Sequence, residues 1–306
     1  IKTSAGKENP LRLVFMSPIA HENLGGKLPS GEEHNEVLEK FREVIRDLSK
    51  EHDAWFVDLY RYLSRRKGSG TPPLTTDGIH LNDYGYWMMA SVAEFSFNWK
   101  TTNFRFGITD SGTERNGAYG IKLVNLTRTP DGMTLDGQFE ALPSYYAQEK
   151  KNKPLTEKTA IGRIQFMGLP EGRYTLVADN VKIHTADAKE WSGGAFIDAG
   201  PDVDQAEELR RLIVEKNDLF FHRARPQNQA YLWGFRRHEQ GNNFKEVPMF
   251  DPLIRQKEEE IFALNKTSKR SYKLMPADDW EKVKPPEPAE KSEAVTEAKP
   301  FKAQPL

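Results

Sequence analysis

The first 60 residues follow one order of elements: an apolar run, a polar loop, an amphipathic helix and a second apolar run. Residues 11–16 (LRLVFM) form the first run, which ends at Ser17-Pro18, where proline has no N–H to give to a sheet. Residues 31–50 place apolar side chains at helical spacing, and residues 54–59 (AWFVDL) form the second run. Near-continuous apolar runs joined by a helix are typical of parallel strands buried on both faces. This order therefore predicts an α/β fold with a parallel sheet.

A polar loop follows the first predicted strand, at residues 21–31. In α/β folds the loops at the carboxyl ends of parallel strands line the ligand crevice. His21, Glu22 and Asn23 are therefore candidate site-lining residues, with His21 and Asn23 as candidate substrate-binding residues. The competing interpretation is an ordinary solvated loop.

Asp77 and His80 are the residues best suited to catalysis, and they lie in the stretch PLTTDGIHLNDYGYWMMA, just before a predicted helix. An imidazole that acts as a general base needs a fixed tautomer. A carboxylate that accepts a hydrogen bond from one ring nitrogen leaves the other nitrogen free to take a proton. Gly78 gives the turn the freedom to bring both side chains to one side. The D-x-x-H spacing also occurs by chance, so a surface aspartate beside a helix-capping histidine is the alternative.

The pattern of the chain changes after residue 100. Residues 101–200 contain many short runs separated by Gly, Pro and Asp turns, which predicts a small antiparallel β-sandwich. Residues 201–265 are typical of a helical segment, and residues 266–306 of a flexible tail rich in Pro, Glu and Lys. The predicted organisation is an α/β unit over residues 1–100, then the sandwich, the helical segment and the tail.

The helical segment contains the densest mixture of arginine and aromatic residues in the chain, at residues 219–243. The favoured interpretation is that this stretch docks on the α/β unit through stacking and forked hydrogen bonds. Arg223 and Arg225 are alternatively candidate substrate-binding residues that would meet an anionic sugar. A metal site at His222 and His238 is disfavoured, because their separation fits no compact zinc spacing and the neighbouring arginines repel a cation.

The stretch around Asp77 resembles the last sequence block of the SGNH/GDSL hydrolases, in which D-G-x-H-x-N-x-x-G-Y supplies the catalytic Asp and His. The units LRLVFMSPIA and AWFVDLY are similar to those that precede this block, so the resemblance covers about residues 8–98. It implies a three-layer α/β/α fold, ester hydrolysis without a cofactor, and Asp77 and His80 as members of a catalytic triad. Residues 203–251 are similar to a segment of large SGNH-type proteins from planctomycete-like bacteria.

The sequence departs from this family at the nucleophile and the oxyanion hole. The family carries its serine on a G-D-S turn and its oxyanion asparagine in G-x-N-D, and neither motif occurs in the 306 residues. Ser17 follows a strand that corresponds to a later one in the family, and Ser4 has no strand before it, so neither is assigned as nucleophile. We therefore expect residues 1–100 to be the C-terminal half of an SGNH-like domain, with its N-terminal part as the missing partner. Such a half-sheet would leave an exposed edge and an uncovered apolar face.

The composition of the chain argues against several other classes of function. With 44 Lys and Arg against 45 Asp and Glu, the net charge near zero does not favour nucleic-acid binding. The absence of cysteine excludes disulfides, thiol nucleophiles and thiolate zinc sites, and no apolar run is long enough to span a bilayer.

The resemblance implies a small O-acyl ester substrate, such as an acetylated carbohydrate, and a periplasmic or secreted location. The alternative function, motivated by the missing serine, is a non-catalytic module that binds a carbohydrate or a protein.

Overall fold

A computed structural model describes residues 12–65, 72–99, 103–143, 162–226 and 229–283. The strands of these residues form one parallel pair early in the chain and two sheets that share a core. The strands are β1 (Val14–Met16), β2 (Trp55–Val57), β3 (Phe104–Ile108), β4 (Ile121–Thr129), β5 (Gly132–Phe139), β6 (Gly162–Phe166), β7 (Arg173–Ala178), β8 (Val181–Asp187), β9 (Ala195–Ile197) and β10 (Arg270–Pro276). The α-helices are α1 (Glu32–Glu51), α2 (Leu59–Arg65), α3 (Asp83–Ser96), α4 (Ala188–Gly193), α5 (Pro201–Ala224), α6 (Gln229–Leu232), α7 (Phe250–Leu264) and α8 (Ala277–Val283).

The α/β unit has the strand–helix–strand order that the sequence predicts. β1 and β2 pair in parallel with Phe15 opposite Phe56, and α1 makes the crossover between them. A small core lies beneath α2 and α3, and Leu74 is fully buried in it. Leu74 precedes the Asp77–His80 stretch, so this core anchors the segment that leads to the candidate site.

One face of the α/β unit is uncovered, which is unlike a strand buried on both faces and is what the expected half-sheet would show. In β1, Val14 is 43% exposed and Met16 is 47% exposed. The predicted apolar face of α1 is also incompletely covered, because several of its side chains are 41–58% exposed: Val37, Phe41, Val44 and Leu48. The physical reason is the size of the sheet. Within the described ranges it has two strands, so part of the apolar surface has no further strand to pack against.

An ion pair between a buried arginine and a half-buried aspartate holds α1 against the end of β2. The guanidinium of Arg42 donates to both carboxylate oxygens of Asp58 at 2.5–2.9 Å, and Arg42 is 6% exposed. Asp58 also accepts the N–H of Arg61 in the first turns of α2. Because charge-assisted forked bonds fix geometry, this pair sets the position of α1 and of the residues near its N-terminus.

The residues after 103 form two sheets around a shared core, here called the sandwich, and one pair of its strands is not antiparallel as the sequence predicts. One sheet has the order β4-β5-β10-β7-β8 and the other has the order β3-β6-β9. The five-stranded sheet is antiparallel throughout, but β3 and β6 pair in parallel, with Phe106 opposite Ile164. The β4–β5 hairpin lies between β3 and β6 in the chain, and this crossover returns the chain in the same direction.

Strand β10 corrects the predicted boundary of the tail. Composition predicts a tail from residue 266, but residues 270–276 form the central strand of the five-stranded sheet, between β5 and β7. Tyr272 and Leu274 are buried and Lys273 between them is exposed. This alternation is the pattern of a half-buried strand, and the Pro- and Lys-rich sequence that follows it obscures the signal. Residues 284–306 of the predicted tail lie outside the described residues.

α5 and α7 form an antiparallel helical hairpin that is attached to the sandwich. Arg223 near the end of α5 pairs with Asp251 at 2.9 Å, and at the opposite end Gln205 donates to the carbonyl of Leu264 at 2.7 Å. Val203 of α5 belongs to the sandwich core. The described residues do not show the predicted docking of this segment on the α/β unit: α5 packs on α7 and on the sandwich core, and Trp233, Phe235 and Phe244 are exposed. None of the described helices has the length and hydropathy needed to cross a membrane.

Candidate active site

The stretch DGIH (residues 77–80) forms a closed turn just before α3. The N–H of Thr76 donates to the carbonyl of His80 at 2.9 Å, and Thr75 pairs with Leu81 in an antiparallel bridge. Gly78 has a φ of +97°, a conformation in which any side chain is strained. A Cβ at this position would also lie 2.7 Å from Nε2 of His21. The DGIH turn therefore requires glycine both for its backbone and for its packing.

Asp77 and His80 form a hydrogen-bonded pair within the DGIH turn. Nδ1 of His80 lies 2.7 Å from Oδ2 of Asp77, while Oδ1 accepts the N–H of Ile79 at 3.1 Å and of His80 at 2.9 Å. A proton on Nδ1 satisfies the carboxylate and leaves Nε2 as an acceptor. The His80 side chain is 73% exposed, and in the described part of the chain its Nε2 has no hydrogen-bond partner. The arrangement is a base oriented by a carboxylate, with its second nitrogen accessible.

The pair changes the titration of Asp77. The side-chain hydrogen bond from His80, together with the two backbone N–H groups, lowers the pKa of Asp77 from 3.8 to about 2. Because the folded pKa lies below the unfolded value, the contribution of this carboxylate to stability is present above pH 3.8 and is lost as the pH falls through about 2. Asp77 is therefore ionised throughout the pH range in which an imidazole acts as a base.

We expect the Asp77 carboxyl to titrate with a midpoint near pH 2 when NMR follows its carboxyl carbon in the folded protein. In the His80→Ala variant the midpoint should rise toward 3.8, because the largest cause of the lowered pKa is removed. It should stay below 3.8, because the N–H groups of residues 79 and 80 still donate to Oδ1. An unchanged midpoint in the variant would mean that the two side chains are not hydrogen-bonded in solution.

Asn82 attaches the DGIH turn to α3. Its side-chain oxygen accepts the N–H of Gly85 at 2.8 Å, which caps the helix, and its amide donates to the carbonyl of Pro73 at 2.9 Å. A Cβ on Gly85 would lie 2.0 Å from the carbonyl oxygen of Leu74, so this close approach requires glycine. Asn82 and Gly85 thus hold the DGIH turn against α3 and against residues 73–74, which precede the turn.

His21 lies beside the DGIH turn. Asn35 of α1 holds its backbone, because the N–H of His21 donates to Oδ1 of Asn35 and Nδ2 of Asn35 donates to the His21 carbonyl, both at 2.8 Å. Nδ1 of His21 lies 3.2 Å from Nδ1 of His34, and its Nε2 packs over Gly78. Of the residues in the loop after β1, His21 therefore lies against the DGIH turn.

The two residues after His21 behave differently. Asn23 is exposed, and its side-chain oxygen accepts the N–H of Gly25 inside its own loop at 3.1 Å. The carboxylate of Glu22 accepts the N–H groups of Leu74 and Thr75, at 3.0 and 2.9 Å. These bonds join residues 52 and 53 positions apart, and for that reason no spacing rule in the sequence reveals them.

Arg223 and Arg225 have their partners inside the helical hairpin. Arg223 pairs with Asp251, and the guanidinium carbon of Arg225 lies 6.0 Å from the ring centre of Phe221. Within the described residues neither arginine makes a hydrogen bond or an ion pair with the DGIH turn. The same part of the chain contains no group of three or more His, Asp or Glu side chains that could hold a metal ion.

Ser17 has a structural role. It is 3% exposed, its hydroxyl donates to the carbonyl of Pro18 at 3.0 Å, and its Oγ accepts the N–H of Tyr60 at 2.9 Å. These bonds tie the end of β1 to α2. Ser4 lies outside the described residues, and among the described serines none hydrogen-bonds to Nε2 of His80.

No family model and no curated protein matches this chain. Among solved structures, the chain is similar to BT4096, a gut microbial diltiazem-metabolizing enzyme, with a TM-score of 0.64 and 16% sequence identity. The likeness covers 88% of this chain and 73% of that chain. At this identity the likeness concerns the fold alone, and it establishes that this chain shares a mixed α/β fold with a drug-metabolizing enzyme.

Proposed function

We propose that the chain carries the base and the orienting acid of a serine ester hydrolase of SGNH type. The observation that carries this proposal is the Asp77–His80 pair. Its 2.7 Å hydrogen bond holds Nδ1, while the exposed Nε2 has no partner in the described residues. The resemblance of the DGIH stretch to the last SGNH block and the fold shared with an enzyme support the same assignment.

In this mechanism Nε2 of His80 takes the proton of a serine hydroxyl while the serine oxygen attacks the ester carbonyl carbon. The imidazolium then gives its proton to the departing alcohol, which leaves an acyl-enzyme. A water molecule that His80 deprotonates attacks the acyl carbon, so the acid is released and the serine is restored. The ionised Asp77 keeps the proton on Nδ1 and stabilises the imidazolium.

The serine and the oxyanion-hole donors are proposed to lie outside the 306 residues, because neither G-D-S nor G-x-N-D occurs among them. The uncovered face of the α/β unit supports this assignment. Further strands beside β1 and β2 would cover Val14, Met16 and the exposed stripe of α1, and would complete a three-layer α/β/α sheet. The proposed partner is therefore the N-terminal part of the same domain.

The proposed substrate is a small O-acyl ester, such as an acetyl group on a carbohydrate, and the proposed location is periplasmic or secreted. The experiment uses the polypeptide encoded by the full gene. Hydrolysis of p-nitrophenyl acetate, acetylated sugars and diltiazem is measured, and a fluorophosphonate probe labels the nucleophile. We expect hydrolysis of the aryl acetate, and labelling of a serine on a G-D-S turn. Hydrolysis with the label on a residue of the sandwich or the hairpin would contradict the assignment.

A non-catalytic binding module is the second candidate function. The observation that favours it is the absence, among the described residues, of a serine that hydrogen-bonds to His80. The full gene separates the two candidates. If it encodes no G-D-S block, and the chain binds an acetylated polysaccharide without releasing acetate, the binding module is correct.

A further inference from the structure

A chain of hydrogen bonds connects the loop after β1 to the DGIH turn. The carboxylate of Glu22 accepts the N–H of Leu74 at 3.0 Å, the N–H of Thr75 at 2.9 Å and the hydroxyl of Thr75 at 2.6 Å. Because the Thr75 hydroxyl gives its proton to Glu22, its oxygen is free to accept the N–H of Gly78, at 3.1 Å. The N–H of Glu22 in turn donates to the carbonyl of Gly78 at 2.9 Å.

These groups are withdrawn from water. Leu74 is fully buried, Thr75 is 2% exposed, Gly78 is buried and Glu22 is half-buried. No basic side chain of the described residues pairs with Glu22, so two backbone N–H dipoles and one hydroxyl stabilise its charge. A carboxylate that accepts several such bonds holds their donors in a fixed geometry. The held donors belong to the segment that carries Asp77 and His80.

We infer that Glu22 is a positioning residue for the Asp77–His80 pair and acts through Thr75 and Gly78. The inference rests on the proposed function, because the geometry of the DGIH turn affects catalysis only if Asp77 and His80 take part in it. Gly78 lies between Asp77 and His80 in the chain, and Glu22 and Thr75 hold both its N–H and its carbonyl. A shift of Gly78 would change the direction of the Asp77 carboxylate, and with it the tautomer and the orientation of the imidazole.

Glu22→Gln is the sharpest variant, since it keeps the size of the side chain and replaces one acceptor oxygen by an amide donor. All groups that Glu22 binds are donors. The amide nitrogen of glutamine faces the N–H of Leu74, 3.2 Å away, when it takes the place of Oε1, and it faces all three donors when it takes the place of Oε2. Thr75→Val removes the hydroxyl at nearly constant volume, and Thr75→Ser restores it. Glu33→Gln, at an exposed position in the first turn of α1, is the matched control.

The first readout needs no catalysis: the midpoint at which the Asp77 carboxyl titrates, followed by NMR in the 306-residue chain. We expect Glu22→Gln and Thr75→Val to raise this midpoint above about 2, with Thr75→Ser and Glu33→Gln unchanged. The second readout is hydrolysis by the enzyme from the full gene. Both disruptive variants should lower kcat by about 10- to 100-fold with little change in KM, as a misplaced catalytic group does.

A purely structural role for Glu22 would give a different result. Glu22→Gln and Thr75→Val would then lower the melting temperature, while the Asp77 midpoint and kcat stayed at their original values, and that outcome would overturn the inference. The proposed function can fail separately. If His80→Ala retains full hydrolytic activity, His80 is not the base, while the NMR midpoints still report whether Glu22 orients the pair.

Discussion

Replacing His80 by alanine is expected to lower the turnover of an aryl acetate by the complete enzyme by about 10⁴- to 10⁶-fold. The imidazole is the group that takes the serine proton, and its Nδ1 is already held by Asp77 at 2.7 Å with Nε2 accessible. Without it the serine hydroxyl is a weak nucleophile, and the residual rate comes from the oxyanion hole and substrate binding. KM should change little, because His80 acts on the reacting atoms. Steady-state hydrolysis of p-nitrophenyl acetate measures the effect.

Two companion variants make this result specific. Asp77→Asn retains the size of the side chain but removes the charge that fixes the tautomer of His80, and we expect a loss of about 10⁴-fold in kcat. His238→Ala removes a histidine from the segment between α5 and α7. Its side chain is 76% exposed, close to the 73% of His80, and the change should leave the rate unchanged. Full turnover in the His80→Ala enzyme would remove His80 from the mechanism.

Replacing Trp191 by alanine is expected to destabilise the sandwich by about 3–5 kcal/mol. Trp191 is fully buried, its ring meets the ring of Phe166 with centroids 5.4 Å apart, and its indole N–H donates to the carbonyl of Tyr174 at 3.1 Å. The substitution leaves a cavity between the two sheets and a buried carbonyl without its donor. Urea unfolding followed by circular dichroism should show an earlier transition for the sandwich.

Trp233→Ala is the matched control, since it deletes the same side chain from a position that is 83% exposed. We expect a change of less than about 0.5 kcal/mol for it, because it leaves no cavity. Equal urea midpoints for the two variants would mean that Trp191 is not part of a packed core in solution.

The local features of the fold and site are those the sequence predicts well. The order of β1, α1 and β2 follows from apolar spacing within 60 residues, and the Asp77–His80 pair follows from a spacing of three residues with a glycine between. Both depend on contacts between residues that are near in the chain. The interpretation of His21 as a substrate-binding residue also depends on a local signal, the position of its loop after a strand, and it stays a prediction.

The features that the sequence does not predict depend on contacts between distant residues. The bonds of Glu22 to Leu74 and Thr75 span more than 50 positions, and a glutamate in a polar loop carries no local sign of such a role. Periodicity alone does not predict the exposure of Val37 and Phe41, because a pattern shows which helix face is apolar and not whether another element covers it. The expectation of an uncovered face comes instead from the family motifs that the sequence lacks. The residues of β10 alternate in polarity, as a half-buried strand does, but the composition of the residues after them predicts a tail.

The place of β10 has a consequence for biosynthesis. The β4–β5 and β7–β8 hairpins are each made of neighbouring strands, but they are joined into one sheet only through β10, which is synthesised after the helical hairpin. While the ribosome translates residues 201–264, both hairpins therefore present an open edge to other nascent chains. The sheet closes only once residues 270–276 emerge, and the long loop that must then close makes this a slow step. A nascent chain of this protein thus depends on β10 to end the period in which the two hairpins can aggregate.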